Sequence, residues 1–208
     1  MMLDSTRRFL PALALFLALP AFAAAQSAAP AAAPAVTTFT IDPVHSGVKF
    51  EIEHLLVSTV TGRFTQFQGT INLSKANDVQ SSVDVTINAA SINTDEPKRD
   101  THLKSPDFFD AAKFPTLTFK STSVTATGNG QLSVTGTFTL HGVSKTIVIP
   151  VTQKGPIAGM APGTQVVGFK GSLSLKRSDY GMSKMIGLVG DNVDITLNVE
   201  ANAAAPAK

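Results

Sequence analysis

The sequence predicts an all-β fold: an eight-stranded antiparallel barrel with a short helical lid segment. Three observations predict it. About eight runs alternate apolar and polar residues with a period of two, the mark of strands with one dry face. Turn signals separate them, the strongest being Gly128-Asn129-Gly130. One long polar segment, Asn93–Phe114, is helix-capable where the rest reads as strand. Eight strands close into a barrel wide enough for side chains or one small ligand. A two-sheet sandwich is the alternative architecture.

The strands follow in order. Phe39 and Ile41 start a short piece that Asp42-Pro43 interrupts. Val48, Phe50 and Ile52 alternate with Lys49, Glu51 and Glu53. Leu55–Thr61 is apolar but irregular and reads as a helical or bulged connection ending at Gly62. Phe67, Gly69, Ile71 and Leu73 form the next inward row, and Val83, Val85, Ile87 and Ala89 follow the polar Ser74–Ser82 loop. In the lid segment, Ser105 before Pro106 predicts an N-cap with proline at the first helical position. Leu117 and Phe119 resume the strands, then Leu132, Val134, Gly136, Phe138 and Leu140. Thr146–Thr152 is followed by an expected loop over Gln153–Thr164. Val167, Phe169, Gly171, Leu173 and Leu175 form one more row, and Val193, Ile195, Leu197 and Val199 close the series after the loop Lys176–Asp191.

The organisation is simple. Arg7 and Arg8, the apolar run Phe9–Leu19 and Ala23-Ala24-Ala25 predict a signal peptide over residues 1–25 and a secreted chain. Residues 26–36 are an Ala/Pro-rich leader expected to be disordered, 37–200 the barrel domain, and 201–208 a flexible tail. The formal charge of +2 becomes +1 once Arg7, Arg8 and Asp4 are removed, which argues against nucleic acid as a partner. With no cysteine, disulfides, thiolate zinc sites and cysteine catalysis are excluded, so stability must come from a core.

The chemistry of the chain points away from catalysis. His45, His54, His102 and His141 stand in no metal-ligand spacing, and no metal or other cofactor is expected. Arg99, Asp100 and His102 could supply an acid, a base and an electrophile, but no activated nucleophile accompanies them. The preferred reading is that Arg99 and Asp100 pair with other elements, with Arg177 and Asp179 as candidates, and fix the lid. His45, Asp100 and Asp179 are therefore taken as structural, and no residue as catalytic. The inward rows offer a pocket wall: Val48, Phe50, Ile52, Phe67, Ile71, Val85 and Ile87, then Phe119, Phe138, Phe169, Leu173 and Ile195. Leu103, Phe108 and Phe109 would add the lid, and Arg99, His102 or Arg177 could meet a polar head group. An ordinary packed core gives the same pattern. The inward Gly69, Gly136 and Gly171 either leave room for a guest or let the sheet bend.

A series of short motifs then identifies a resemblance. Ile41-Asp42-Pro43-Val44-His45-Ser46, Phe50–His54 and Gly62-Arg63-Phe64 come first. Ser91–Thr94, Arg99–Leu103, Asp107-Phe108-Phe109-Asp110 and Phe114–Phe119 follow. Leu140–Val143, Gly168-Phe169 and Arg177–Gly181 complete the set. In this order they resemble the YceI-like family of secreted lipid- and polyisoprenoid-binding proteins, over Phe39 to Glu200. The resemblance implies an extended lipocalin-like barrel holding a polyisoprenoid or similar long-chain amphiphile in the periplasm. It implies no enzyme activity, and it brings an association with stress responses. The expected function is thus a lipid carrier, with transient membrane contact and a homodimer left open. The alternatives are an enzyme acting on an apolar substrate at the rim through His102, Asp100 and Arg99, and a ligand-free structural stress protein.

Overall fold

The computed structural model of the chain describes residues 36–74 and 80–204. The expected signal peptide and residues 26–35 of the leader lie outside them, as do 75–79 and 205–208. Eleven strands and one α-helix make up the described chain: β1 (Val36–Ile41), β2 (Gly47–His54), β3 (Ser58–Phe64), β4 (Phe67–Ser74), β5 (Ser82–Asn88), β6 (Ile92–Asn93), α1 (Pro97–Lys104), β7 (Thr116–Gly128), β8 (Gln131–Leu140), β9 (Val143–Ala158), β10 (Gln165–Lys176) and β11 (Val189–Ala203).

The alternating rows become strands because their apolar faces share one interior. β1, β4, β5, β7, β8, β9, β10 and β11 pair in that order, all antiparallel. β1 returns to β11 through Thr40 opposite Asn202 and Ile41 opposite Ala201. The ring is therefore a closed eight-stranded barrel, and closure removes the open edges of a sheet. β11 is long enough to serve two neighbours. Its end pairs with β1, and Val193–Asn198 pairs with β2, which carries β3 and β6 beyond the ring.

The break between β1 and β2 has a clear cause. Pro43 has no N–H to give a ladder. The Ser46 hydroxyl substitutes, donating to the Glu200 carbonyl (3.1 Å) and accepting the Glu200 N–H (2.9 Å). Asp42 caps the kink by accepting the Val44 N–H at 2.8 Å.

Several expectations are corrected. The connection Leu55–Thr61 is a turn over Leu55–Val57 followed by β3, not a helical piece. The helix lies upstream of the expected start: Glu96 caps it by accepting the Lys98 N–H, Pro97 takes the first turn, and Ser105 is its C-cap. Glu96-Pro97 offers the same cap-then-proline chemistry as Ser105-Pro106, and Pro97–Lys104 contains no glycine to break the helix. β9 continues through residues 153–158, so the loop spans only 159–164. The tail is not free from Ala201, because β11 runs to Ala203, and Val36 of the expected leader already belongs to β1.

Two cores fill the barrel. The smaller joins Phe39, Ile41, Ile71, Val167, Ala201 and Ala203 where β1, β4, β10 and β11 converge. The larger includes Val48, Phe64, Phe119, Leu132, Phe138 and Tyr180. The inward glycines are explained by close approach. A Cβ on Gly136 would lie 2.5 Å from the Phe119 ring, and one on Gly69 would lie 2.5 Å from the Asp84 carbonyl oxygen. Gly171, which also borders interior space, is crowded too, since a Cβ there would lie 2.9 Å from Val151 Cγ1.

Candidate functional site: an apolar cavity inside the barrel

Most of the larger core, with Ile41 and Ile71 of the smaller, surrounds a cavity of about 200 Å³. Because side chains alternate along every strand, each inward row contributes its apolar members to one wall. Val48 and Phe50 of β2, Phe67 and Ile71 of β4, and Val85 and Ile87 of β5 all line it. So do Phe119 of β7, Phe138 of β8, Phe169 and Leu173 of β10, and Ile195 of β11. Phe109 reaches it from the lid and meets Phe64 edge to face, with ring centroids 5.7 Å apart.

Three expected wall residues lie elsewhere. Ile52 sits between Val60 and Val193 in the ladder, beyond the cavity wall. Leu103 packs partly buried against the core from α1. Phe108 is buried against the His102 ring at 5.0 Å. Sequence reasoning missed Phe64, Leu117, Val134, Tyr180 and Met182 as wall residues. Phe64 belongs to the strand misread as a connection. Tyr180 and Met182 belong to a loop whose apolar residues show no period, so only the Leu117 and Val134 rows carried a readable signal.

Of the three head-group candidates, only Arg177 lines the cavity. It opens a 3-10 turn, Arg177–Tyr180, and is 4 % exposed. Its Nε donates to the Gly190 carbonyl at 2.7 Å. Its Nη1 donates to the carbonyls of Met182 and Lys184 at 2.7 and 2.8 Å, and its Nη2 to that of Val189 at 3.0 Å. A guanidinium carries five N–H groups, so one N–H of Nη2 is left without a protein partner among the described residues. Burial lowers the Arg177 pKa from its ordinary value, and the nearby Asp191 charge opposes that. Asp191 instead holds the 3-10 turn, accepting the Ser178 N–H and hydroxyl at 2.9 and 2.8 Å, which lowers its own pKa.

The expected pairing of Arg99 and Asp100 with Arg177 and Asp179 does not occur. Buried Asp100 accepts the Thr94 N–H and hydroxyl, at 2.9 and 2.6 Å. Arg99 is exposed and donates to Thr94 Oγ1 and to the Thr94 carbonyl, both at 2.8 Å. Asp179 instead faces Lys145 at 3.5 Å. His102 turns outward to Asp107 at 2.9 Å, and Asp107 also meets Lys184 at 3.3 Å. The His102 bond is the main cause of the lowered Asp107 pKa. Arg99, Asp100 and His102 therefore tie down the lid segment, and none of them lines the cavity. His45 bonds Asp42 at 2.9 Å and lies 3.7 Å from Glu200, joining the β1–β2 kink to β11. These three groups come within 4.8 Å of one another, but their bonds are to each other, to the kink backbone and, for Asp42, to the Asn202 amide at 3.3 Å.

The fold and the cavity define a class: a closed antiparallel barrel with an apolar, partly hollow interior. Residues 39–201 match the model of the YceI-like domain, and the chain belongs to the YceI-like family. It is 42 % identical over 157 residues to a UPF0312 protein of Vibrio cholerae, covering 75 % of this chain and 81 % of that one. Among solved structures it is similar to a YCEI protein of Campylobacter jejuni, at 36 % identity and TM-score 0.64, covering 72 % of this chain and 88 % of that one. A polyisoprenoid-binding domain of Saccharophagus degradans shares the fold at 17 % identity and TM-score 0.61, covering 81 % of this chain and 99 % of that domain.

Proposed function

We propose that the chain is a periplasmic carrier that holds a polyisoprenoid or similar long-chain amphiphile inside the barrel. The apolar cavity behind the closed ring carries this reading. A long hydrocarbon chain gains about 0.8 kcal/mol for each CH₂ it removes from water. The fold shared with a polyisoprenoid-binding domain supports the ligand class. The basic, apolar and small-residue run at the N-terminus supports export.

The cavity is narrower than the roughly 300–1,000 Å³ of drug-sized ligand pockets. Taking up a long chain therefore requires partly buried rings on its wall to rotate, and Phe50, Phe109 and Phe169 are placed to do so. In this reading Arg177 is the one head-group candidate at the cavity wall, where a charged donor suits an anionic head group. Binding rather than catalysis is favoured because Arg99, Asp100 and His102 are engaged with Thr94 and Asp107, away from the cavity.

The test is retention of lipid after purification without detergent. Phe169→Asp is expected to fold, since Phe169 is only partly buried, and to lose its co-purified lipid. A folded Phe169→Asp protein that retains lipid at the native stoichiometry would refute the cavity assignment.

A further inference from the structure

We propose that the tip of the β2–β3 hairpin and the Met185–Leu188 loop form one docking surface for a lipid membrane. This inference rests on the carrier reading and names where the carrier meets its lipid source. Leu56 and Val57 are 78 % and 83 % exposed at the hairpin tip, and Leu55 stands beside them. Met185, Ile186 and Leu188 are also exposed. The two tips are one surface, since the Leu55 N–H donates to the Leu188 carbonyl at 2.7 Å. Scattered exposed apolar residues are ordinary, but six gathered together are not.

The backbone makes the patch harder to dismiss as accidental. Leu55 and Leu56 sit at φ 54° and 58°, in a turn closed by the Val57 N–H to the His54 carbonyl at 3.2 Å. Those φ values are the signature of a type I′ turn, which favours asparagine and glycine. Leucine is strained there by its Cβ. Met185 repeats the pattern at φ 59°. Three bulky apolar residues thus occupy left-handed positions that suit small polar ones, and all three face water.

The geometry favours a lipid surface over a protein partner. Two loop tips offer six side chains, far fewer than the 20–30 residues a side of a stable protein interface. Interfacial insertion asks only that apolar side chains reach about 5–10 Å into the headgroup boundary. The patch is also continuous with the cavity. Arg177 and Met182 line the cavity, and Arg177 bonds the carbonyls of Met182, Lys184, Val189 and Gly190 around the exposed loop. Lys184 lies in the same loop, 3.3 Å from Asp107 of the lid segment. An anionic lipid phosphate could take the place of that carboxylate at Lys184.

The experiment is flotation of the mature chain with vesicles of phosphatidylethanolamine and phosphatidylglycerol, run beside an organic extraction of the same protein. The native chain is expected to float. Leu55→Asn combined with Leu56→Gly should denature at the same or a higher temperature and bind vesicles at least tenfold more weakly. Lys184→Ala should bind less to vesicles containing phosphatidylglycerol than the native chain does. Undiminished flotation of the hairpin variant, or no flotation of the native chain, would overturn the proposal. So would a native dimer that the hairpin variant dissolves, which would assign the patch to a second copy. If the extract holds no lipid but the tips still drive flotation, the carrier reading fails and the docking surface stands. If lipid is present and flotation ignores the tips, the reverse holds.

Discussion

The two cores of this barrel are built from the same alternating strands and border the cavity to different extents. In the smaller, Phe39 and Ala201 are fully buried and Val167 is 1 % exposed. Small alanines near the end of β11 let β1 close onto it, so Phe39, Val167 and the alanines form a solid part off the cavity, while Ile41 and Ile71 of the same core border it. In the larger, Val48 and Phe138 keep 9 % exposure, and the rings of Phe50, Phe109 and Phe169 are only partly buried around the cavity. Interiors are normally packed to crystal density, and an unfilled apolar space forfeits contacts on its lining. The solid part around Phe39 holds the ring shut, while the residues around the cavity keep space.

Paired substitutions can break that comparison. Phe39→Ala should cost about 3–5 kcal/mol, or on the order of 10 °C in melting temperature for a domain of this size. Phe50→Ala, which touches only the larger core, should cost less than half as much by thermal denaturation, since its ring is partly buried at the cavity wall. Equal losses would show that the larger core is as tightly packed as the smaller. Arg177→Met should cost roughly 3 kcal/mol, because four carbonyls around the loop lose their charged donor. Arg177→Lys should recover little, since a point charge cannot span that fork. Urea denaturation of both variants would show whether polar bonding holds the end of the larger core.

Overpacking gives a finer probe. Val167→Phe forces bulk into the solid part and should cost about 1–3 kcal/mol. Val134→Phe adds the same bulk on the cavity wall. It should leave the melting temperature nearly unchanged while reducing the lipid recovered by extraction.

The smallest effect is expected at the β1–β11 seam beside the solid part. The Asp42 hydrogen bond, then the charges of Asp42 and Glu200, raise the His45 pKa above 6.5. A raised histidine contributes its full stabilisation below the ordinary value and loses it as pH rises through the raised one. The Asp42 pKa is lowered, chiefly by the His45 bond, so its contribution is present above 3.8 and fades as pH falls through the lowered value. The gap in melting temperature between native and His45→Ala proteins should therefore narrow as pH is raised from 6 towards 9. Both groups are exposed, so the change should be small.

Much of the fold was legible because alternation is a physical requirement of a half-wet strand. The rows around Phe50, Phe119, Phe138 and Phe169 reach the cavity as their period implies. The turn at Leu55–Val57 was hidden because it uses apolar residues where glycine or asparagine is expected. The helix start was displaced because Glu96-Pro97 and Ser105-Pro106 carry nearly the same capping signal. Residues 153–158 of β9 were hidden by Gly155 and Pro156. The Arg177 bonds were unreadable for a different reason. Backbone carbonyls accept them, and a carbonyl has no sequence signature. Whether an inward row is filled or hollow was likewise absent from periodicity, since it depends on how opposite walls meet.

The most direct test is mass spectrometry of an organic extract from the protein purified without detergent. The carrier account expects one long-chain amphiphile per chain in the native protein and its loss in folded Phe169→Asp. A folded native protein that yields no such species, and that takes up none when offered a polyisoprenoid, would contradict it and leave a barrel whose interior serves stability alone.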